Sequence, residues 1–230
     1  MTPPRPKRRF HAGLDVLQSR LMKMSGMAED LVRRAVKAFL SRDPSARDLI
    51  RADDGQIDAL EIEVDEQVVE LIALHQPVAS DLRQILTTLK ICNDIERVGD
   101  HAVNIAKAAR RVARVPPLPE IPEVAELAIL SQRMLRDALA SFGARDSALA
   151  REVCTRDDRV DDMRRTVQGI LLDVMTEDPS RIPSALEYLR VSQQLERIGD
   201  LSTNISEDVV FLVEGRSIKH NMEREGGQGP

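Results

Sequence analysis

Ten residues near the middle of the chain return a hundred positions later. Residues 96–105 read ERVGDHAVNI and residues 196–205 read ERIGDLSTNI, identical at six of ten positions, where unrelated sequences would share about one. A second echo sets Phe39, Arg42 and Asp43 against Phe142, Arg145 and Asp146, an offset of 103 that also carries Ile50 to Val153 and Ile57 to Val160. Self-similarity at a near-constant spacing marks a duplicated structural unit, so whatever the first half folds into, the second half folds into as well. The drop in offset from 103 to 100 places a three-residue deletion near Asp178 and Pro179. A turn tolerates such a loss.

The repeated unit is helical. Leu17, Leu21, Met24, Leu31 and Ala35 return to one face between about Leu14 and Leu40, which predicts a first helix. Asp43 and Pro44 read as the N-cap and first position of a second, in which Ile50, Ile57, Leu60, Val64 and Leu71 continue toward His75. Pro77 interrupts it, Ser80 or a neighbour caps a third, and Leu82, Ile85, Leu89, Ile95, Val98 and Ile105 carry that helix toward Val112. Four prolines in residues 114–122 exclude a helix interior there. The expected fold is all-α, six helices in two tandem, pseudo-symmetric three-helix bundles. Its parts are a flexible tail over 1–9, a first repeat over 10–113, a Pro-rich linker over 114–119, a second repeat over 120–218 and a flexible tail over 219–230. A chain of 230 residues has room for one large core or two smaller ones meeting at an interface.

Composition narrows the function. Aromatics are only 2%, so the core falls to Leu, Val, Ile, Ala and Met. A net charge of −5 with acidic and basic residues interleaved leaves no basic face for nucleic acid, and Lys7-Arg8-Arg9 reads as a solvated arm. Cys92 and Cys154 lack metal-ligand spacing, which fits free thiols in a reducing cytoplasm. No apolar region follows the N-terminus and no stretch approaches the ~18 apolar residues of a membrane span, so the expectation is a protein neither secreted nor membrane-spanning. A nucleophile–base pair, a Gly-rich phosphate loop and a helical ExxH pair are all missing, so the chain reads as a regulator rather than an enzyme.

The acidic residues carry the candidate site. Glu96 and Asp100 are i and i+4 neighbours with Asn104 one turn on, and Glu196, Asp200 and Asn204 repeat the stripe. The second and fifth helices carry Asp54 with Asp58 and Asp157 with Asp161. In an antiparallel hairpin, residues equidistant from the turn meet, and the paired stripes agree to roughly 3 Å at 1.5 Å rise per residue. Each hairpin thus brings four carboxylates to one level, where a close like-charge pair costs roughly 3 kcal/mol at an effective dielectric of 20 unless a cation compensates. Oxygen-only donors suit Mg²⁺, Mn²⁺, Ca²⁺ or iron and argue against structural zinc; Asn104 and Asn204 are further oxygen donors. The competing reading is a solvated acidic face beside Arg97 and Arg197. Gly99 and Gly199 inside helices point to close packing, Cys92 to a small packing residue, and His101 to a histidine without a catalytic partner.

ERVGDHAVNIA and ERIGDLSTNIS, with QPVASDLR before the third helix and EDPSRIPSAL before the sixth, resemble the PhoU family of phosphate-signalling regulators over about residues 10 to 220. The resemblance implies two similar three-helix bundles, often a homodimer, with multinuclear metal sites in some members at positions that here are Asp54, Asp58, Glu96, Asp100, Asp157, Asp161, Glu196 and Asp200. It also implies a cytoplasmic adaptor that links the cytoplasmic subunits of a phosphate ABC transporter to a phosphate-responsive sensor histidine kinase and reaches the membrane only through those partners. Leu201 follows the second GD dipeptide where the family commonly has a polar residue, and Gln194 stands opposite Asp94. Glu61 and Asp65 extend the first acidic stripe where the second has Arg164 and Gln168, so the first site is expected to bind metal more tightly. Rival readings are a metal-storage or metal-buffering bundle and a metal-free structural adaptor.

Overall fold

In the computed structural model the described residues are 6–219, and they form seven α-helices, one 3-10 turn and no strand. α1 spans Pro6–Leu40, α2 Ala46–His75 and α3 Ala79–Val112; after a helix-free stretch come α4 at Pro122–Ala144, α5 at Ser147–Cys154, α6 at Asp157–Glu177, the 3-10 turn at Pro179–Arg181, and α7 at Ile182–Glu214. The six-helix plan holds, because α5 and α6 together take the place that α2 has in the first half. α1 packs on α2 and α3, and α4 packs on α5, α6 and α7. The halves meet through α3 against α7 and α1 against α4, and one contiguous apolar core runs through both. No described helix is long and apolar enough to cross a membrane.

α3 and α7 are the inner helices, buried along most of their length. Small residues recur at their buried positions, Gly99, Ala102, Ala106 and Ala109 on α3 and Ser192, Gly199, Ser202 and Ser206 on α7, and at the two glycines the close neighbour is the outer helix of the same half, Asp54 of α2 and Val160 of α6. The buried serines on α7 cause no polar deficit, since Ser202 donates to the Ile198 carbonyl at 2.7 Å and Ser206 to the Ser202 carbonyl at 2.8 Å. Lys90–Asp208 at 3.4 Å, Asn104–Gln194 at 3.2 Å and Arg111–Glu187 at 2.7 Å link the two helices. As the residue number rises on one helix it falls by the same amount on the other, which is an antiparallel register.

The repeated F-x-x-R-D run closes the first helix of each half. Arg42 and Arg145 take left-handed backbone conformations with φ of 54° and 52°. The following Asp43 and Asp146 amides reach back to the Ala38 and Ser141 carbonyls at 2.8 and 2.9 Å, satisfying the helix end. Arg42 also donates to the Val112 carbonyl at 2.5 Å and to that of Val115, fastening the end of α1 to the end of α3.

Several boundaries differ from the sequence reading. Asp43 does not cap α2: its carboxylate accepts from the Ser45 amide and hydroxyl at 2.9 and 2.7 Å, closing a turn around Pro44, and the helix starts at Ala46. Its counterpart Asp146 does cap, accepting from the Ala148 and Leu149 amides at 2.9 and 3.0 Å. Ser80 makes no cap either, because α3 has already begun at Ala79 behind Val78. α1 begins at Pro6, inside the expected N-terminal tail; residues 1–5 of that tail and 220–230 of the C-terminal one lie outside the described residues. The fifth helix breaks after Cys154, where the Thr155 hydroxyl donates to the Glu152 carbonyl and the Arg156 amide bonds Val153 three residues back, tightening one turn. Replacing the capping aspartate, Asp146→Ala, is expected to cost about 1 kcal/mol and to lower the melting temperature by about 2–4 °C, measured by calorimetry, whereas Asp43→Ala costs less.

Candidate functional site

The first hairpin brings its four carboxylates together. Asp54 comes from α2 and is only 8% exposed; burial, then the charges of Asp58 and Asp100, push its pKa up to about 6. Glu96 on α3 is pushed up to about 7 by burial and by Asp100, Glu61, Asp58 and Asp54. Gly99 explains how Asp54 fits, because a Cβ at that position would run into Asp54 Oδ1. That oxygen is buried without a hydrogen-bond donor. A carboxylate oxygen in such a place is satisfied by its own proton, by a bound water or by a cation.

The second hairpin gathers the same set with different compensation. Asp200 on α7 is pushed up to about 6 by burial, then by Asp157, Glu196 and Asp161. Here Arg164 Nε stands 3.1 Å from Glu196 Oε1, and the Thr203 hydroxyl donates to Asp157 Oδ1 at 3.0 Å. Burial still raises the Asp157 carboxyl against that hydrogen bond. At Gly199 the neighbour is apolar, since a Cβ would meet Val160 Cγ1 at 3.2 Å. The first site is therefore anionic with an orphaned oxygen, while the second carries a cation of its own.

Hard oxygen donors in two groups of four suit hard ions, and Asp54 Oδ1 is an acceptor in want of a partner. As the side chains stand, among the described residues no three or more His, Cys, Asp or Glu are arranged to hold a metal ion. Binding one would require rotation of the exposed members, Asp58 and Asp100. Asn104 is occupied elsewhere: it donates to Gln194 Oε1 at 3.2 Å and accepts from Lys107 Nζ at 3.0 Å. Asn204 instead lines a cleft of about 480 Å³ with Glu61, Asp65, Asn93, Asp94 and Asp208, flanked by Lys90 and Lys219. Asp94, pushed up to about 6 mainly by burial, and Asp208, 2% exposed and paired with Lys90 and Lys219 at 3.4 and 3.6 Å, form its floor. Sequence reasoning missed Asp208; the signal was an acid on a buried stripe where the first copy has Ala108.

The remaining candidates pack. Cys92 lies 3.6 Å from Met24 Sδ, with its thiol pushed up to about 12 by burial and by Glu61, Asp65 and Glu96. His101, expected to lack a partner, stands with Nδ1 2.9 Å from Gln194 Oε1 across the α3–α7 contact. Burial lowers its pKa, which favours the neutral ring.

The PhoU domain profile matches residues 21–109 and 124–209, once in each half. The chain is 37% identical over 213 residues to a phosphate-specific transport system accessory protein PhoU homolog from Clostridium acetobutylicum, covering 92% of this chain and 97% of that one. The homolog from Aquifex aeolicus is 33% identical over 216 residues, covering 94% and 97%. The crystal structure of PhoU from Pseudomonas aeruginosa superposes with a TM-score of 0.87 at 36% identity, covering 90% of this chain and 100% of that one. The phosphate transport system regulatory protein PhoU from Streptococcus pneumoniae gives 0.84 at 26% identity, with 91% and 99% covered.

The raised carboxyl pKa values set the sign of the pH dependence. Asp54, Asp94 and Asp200 at about 6 and Glu96 at about 7 bind protons more tightly in the folded than in the unfolded chain. Stability therefore rises as pH falls through those values toward the ordinary carboxylate range, and is lost as pH rises. Thermal melts of metal-free protein are expected to show a melting temperature several degrees higher at pH 6 than at pH 8, and Glu96→Gln is expected to flatten that slope.

Proposed function

Because the chain belongs to the PhoU family, we propose that it regulates phosphate uptake as a cytoplasmic adaptor, holding the transporter and the phosphate-starvation response in check when phosphate is plentiful. The observation that carries the reading is the match, along nine tenths of the chain, to proteins named accessory to phosphate-specific transport. The chain would meet the transporter through that transporter's cytoplasmic subunits; no described helix is long and apolar enough to cross a membrane. Signalling runs from there to a phosphate-responsive sensor histidine kinase, and the adaptor works as a homodimer. Deleting the gene is expected to raise phosphate uptake and starvation-gene transcription in phosphate-rich medium, and unchanged uptake and transcription would sink the adaptor reading.

The acidic stripes would serve this role as cation sites. Asp54, Asp58, Glu96 and Asp100 would hold an ion such as Mg²⁺, Mn²⁺, Ca²⁺ or iron, which would neutralise their mutual repulsion and cross-brace α2 to α3. In the second half, the Arg164–Glu196 pair supports a site that stands without an ion. Mass spectrometric metal analysis of untagged protein is expected to find metal that is lost in Glu96→Ala/Asp100→Ala, with the first site filling before the second on titration. Equal filling of the two would remove the distinction between them. Absence of metal from both proteins would leave a metal-free adaptor.

A further inference from the structure

Charges of both signs interleave along most of the chain, and the C-terminal part of α3 is the exception. Lys107, Arg110, Arg111 and Arg114 fall at i, i+3, i+4 and i+7, so they line one face of the helix over about 10 Å. No acidic residue stands between Asp100 and Glu120. On α7, which runs antiparallel to this stretch, residues 182–195 add Arg190 and a single carboxylate, Glu187. Glu187 is 6% exposed and is held between Arg111 Nε at 2.7 Å and the Arg190 guanidinium. Lys107 Nζ donates to Asn104 at 3.0 Å, and among the described residues the Arg110 and Arg114 guanidinium groups form no ion pair. Five cations thus face one carboxylate, in a chain whose net charge is −5. Arg42, bonded to the Val112 carbonyl at 2.5 Å, adds a sixth cation at this end.

Cations suit the C-terminal end of a helix, but the fold does not require them here. The offset of 100 carries Lys107, Arg110, Arg111 and Arg114 to Glu207, Val210, Phe211 and Glu214, which occupy the same turns at the end of α7. Of two equivalent helix ends, one is basic and the other acidic and apolar. We propose that the basic stripe on α3 docks an acidic segment of a partner protein, whose carboxylates on one helical face meet Arg110 and Arg114. Only one of the six cations is a lysine, and the planar fork of arginine matches a carboxylate with parallel hydrogen bonds. Glu187 already shows a carboxylate gripped by two of these arginines. The one-turn spacing of the stripe matches carboxylates at i, i+3, i+4 and i+7 of a partner helix. A bilayer is the less suitable occupant, because Ala108, Ala109 and Val112 between the cations are buried in the core and leave the stripe no apolar neighbour on its own helix to enter a headgroup layer. The inference deepens the adaptor reading and rests on it for the existence of a partner; peptide binding tests the stripe alone, so the two readings fail separately.

The test is fluorescence anisotropy of the full chain with a labelled, alanine-rich helical peptide carrying Glu at i, i+3, i+4 and i+7, beside the same peptide with Gln at those positions. Binding is expected to the Glu peptide only, and to weaken with added salt. Arg110→Glu/Arg114→Glu is expected to weaken it about a hundredfold while keeping its melting temperature, because neither guanidinium has an ion pair to lose. Arg110→Gln/Arg114→Gln, which removes the charges without reversing them, is expected to weaken binding less. Lys23→Glu/Arg133→Glu reverses two cations on α1 and α4 and is expected to leave binding unchanged. No binding of the Glu peptide, or equal binding of both peptides, overturns the proposal. So does binding that Arg110→Glu/Arg114→Glu leaves intact, or that both Glu double variants weaken equally. Sedimentation with phosphatidylglycerol vesicles that Arg110→Glu/Arg114→Glu abolishes, without any peptide binding, overturns it in favour of lipid.

Discussion

The antiparallel contact between α3 and α7 is the constraint on which the rest of the molecule depends. Each is the inner helix of its bundle, so each must present apolar residues to its own half and to the other. Small residues among the buried positions of both helices allow this, with Gly99 lying against α2 and Gly199 against α6, since larger side chains would hold the helices apart and open voids that the protein interior does not tolerate. Once α3 and α7 are set, the faces they turn toward α2 and α6 are set as well. Those faces carry Glu96 with Asp100 and Glu196 with Asp200.

The acidic sites are held in place against their own electrostatics. Asp54 is driven into contact with Gly99 by the burial of its neighbours Ile50 and Ile57 on the same face of α2, both at most 1% exposed. Glycine in a helix interior costs about 1 kcal/mol relative to alanine, and here the missing Cβ gives Asp54 its slot. Repulsion among the four carboxylates is thus built into the metal-free fold and falls when a proton or a cation arrives. In the second half the same repulsion is already reduced by Arg164 and by the Thr203 hydroxyl.

Most of this was legible in the chain because duplication and helical periodicity are both long-range signals. The six-helix plan, the linker after Val112 and the grouping of the eight acidic residues follow from spacing alone, since a hairpin of straight helices converts sequence distance from the turn into height. What the chain hid was set by single atoms. Whether Asp43 caps a helix or closes a turn depends on which amides its carboxylate reaches, and its twin Asp146 makes the other choice. The rotation of each helix about its axis was equally hidden, so Asn104 was grouped with the carboxylates although it serves the α3–α7 contact. His101 found Gln194 only because α7 runs beside α3, a fact of tertiary packing that no local pattern encodes.

Duplication followed by divergence accounts for the asymmetry between the halves. Two identical copies joined by a pseudo-two-fold contact would present the same charges and the same tips at both ends. The first half instead has Glu61 and Asp65 beside its carboxylates, the orphaned Asp54 oxygen and an uncharged hairpin tip, while the second has Arg164, Gln168, Glu177 and Asp178 at the matching places. None of these exchanges touches the core, which demands only that apolar and small residues recur on the inner faces. Their concentration on exposed and half-exposed positions means that packing left both halves free to change there. The second half carries internal neutralisation, which stabilises a scaffold, and the first carries unbalanced charge and exposed apolar surface, which cost stability unless something binds them.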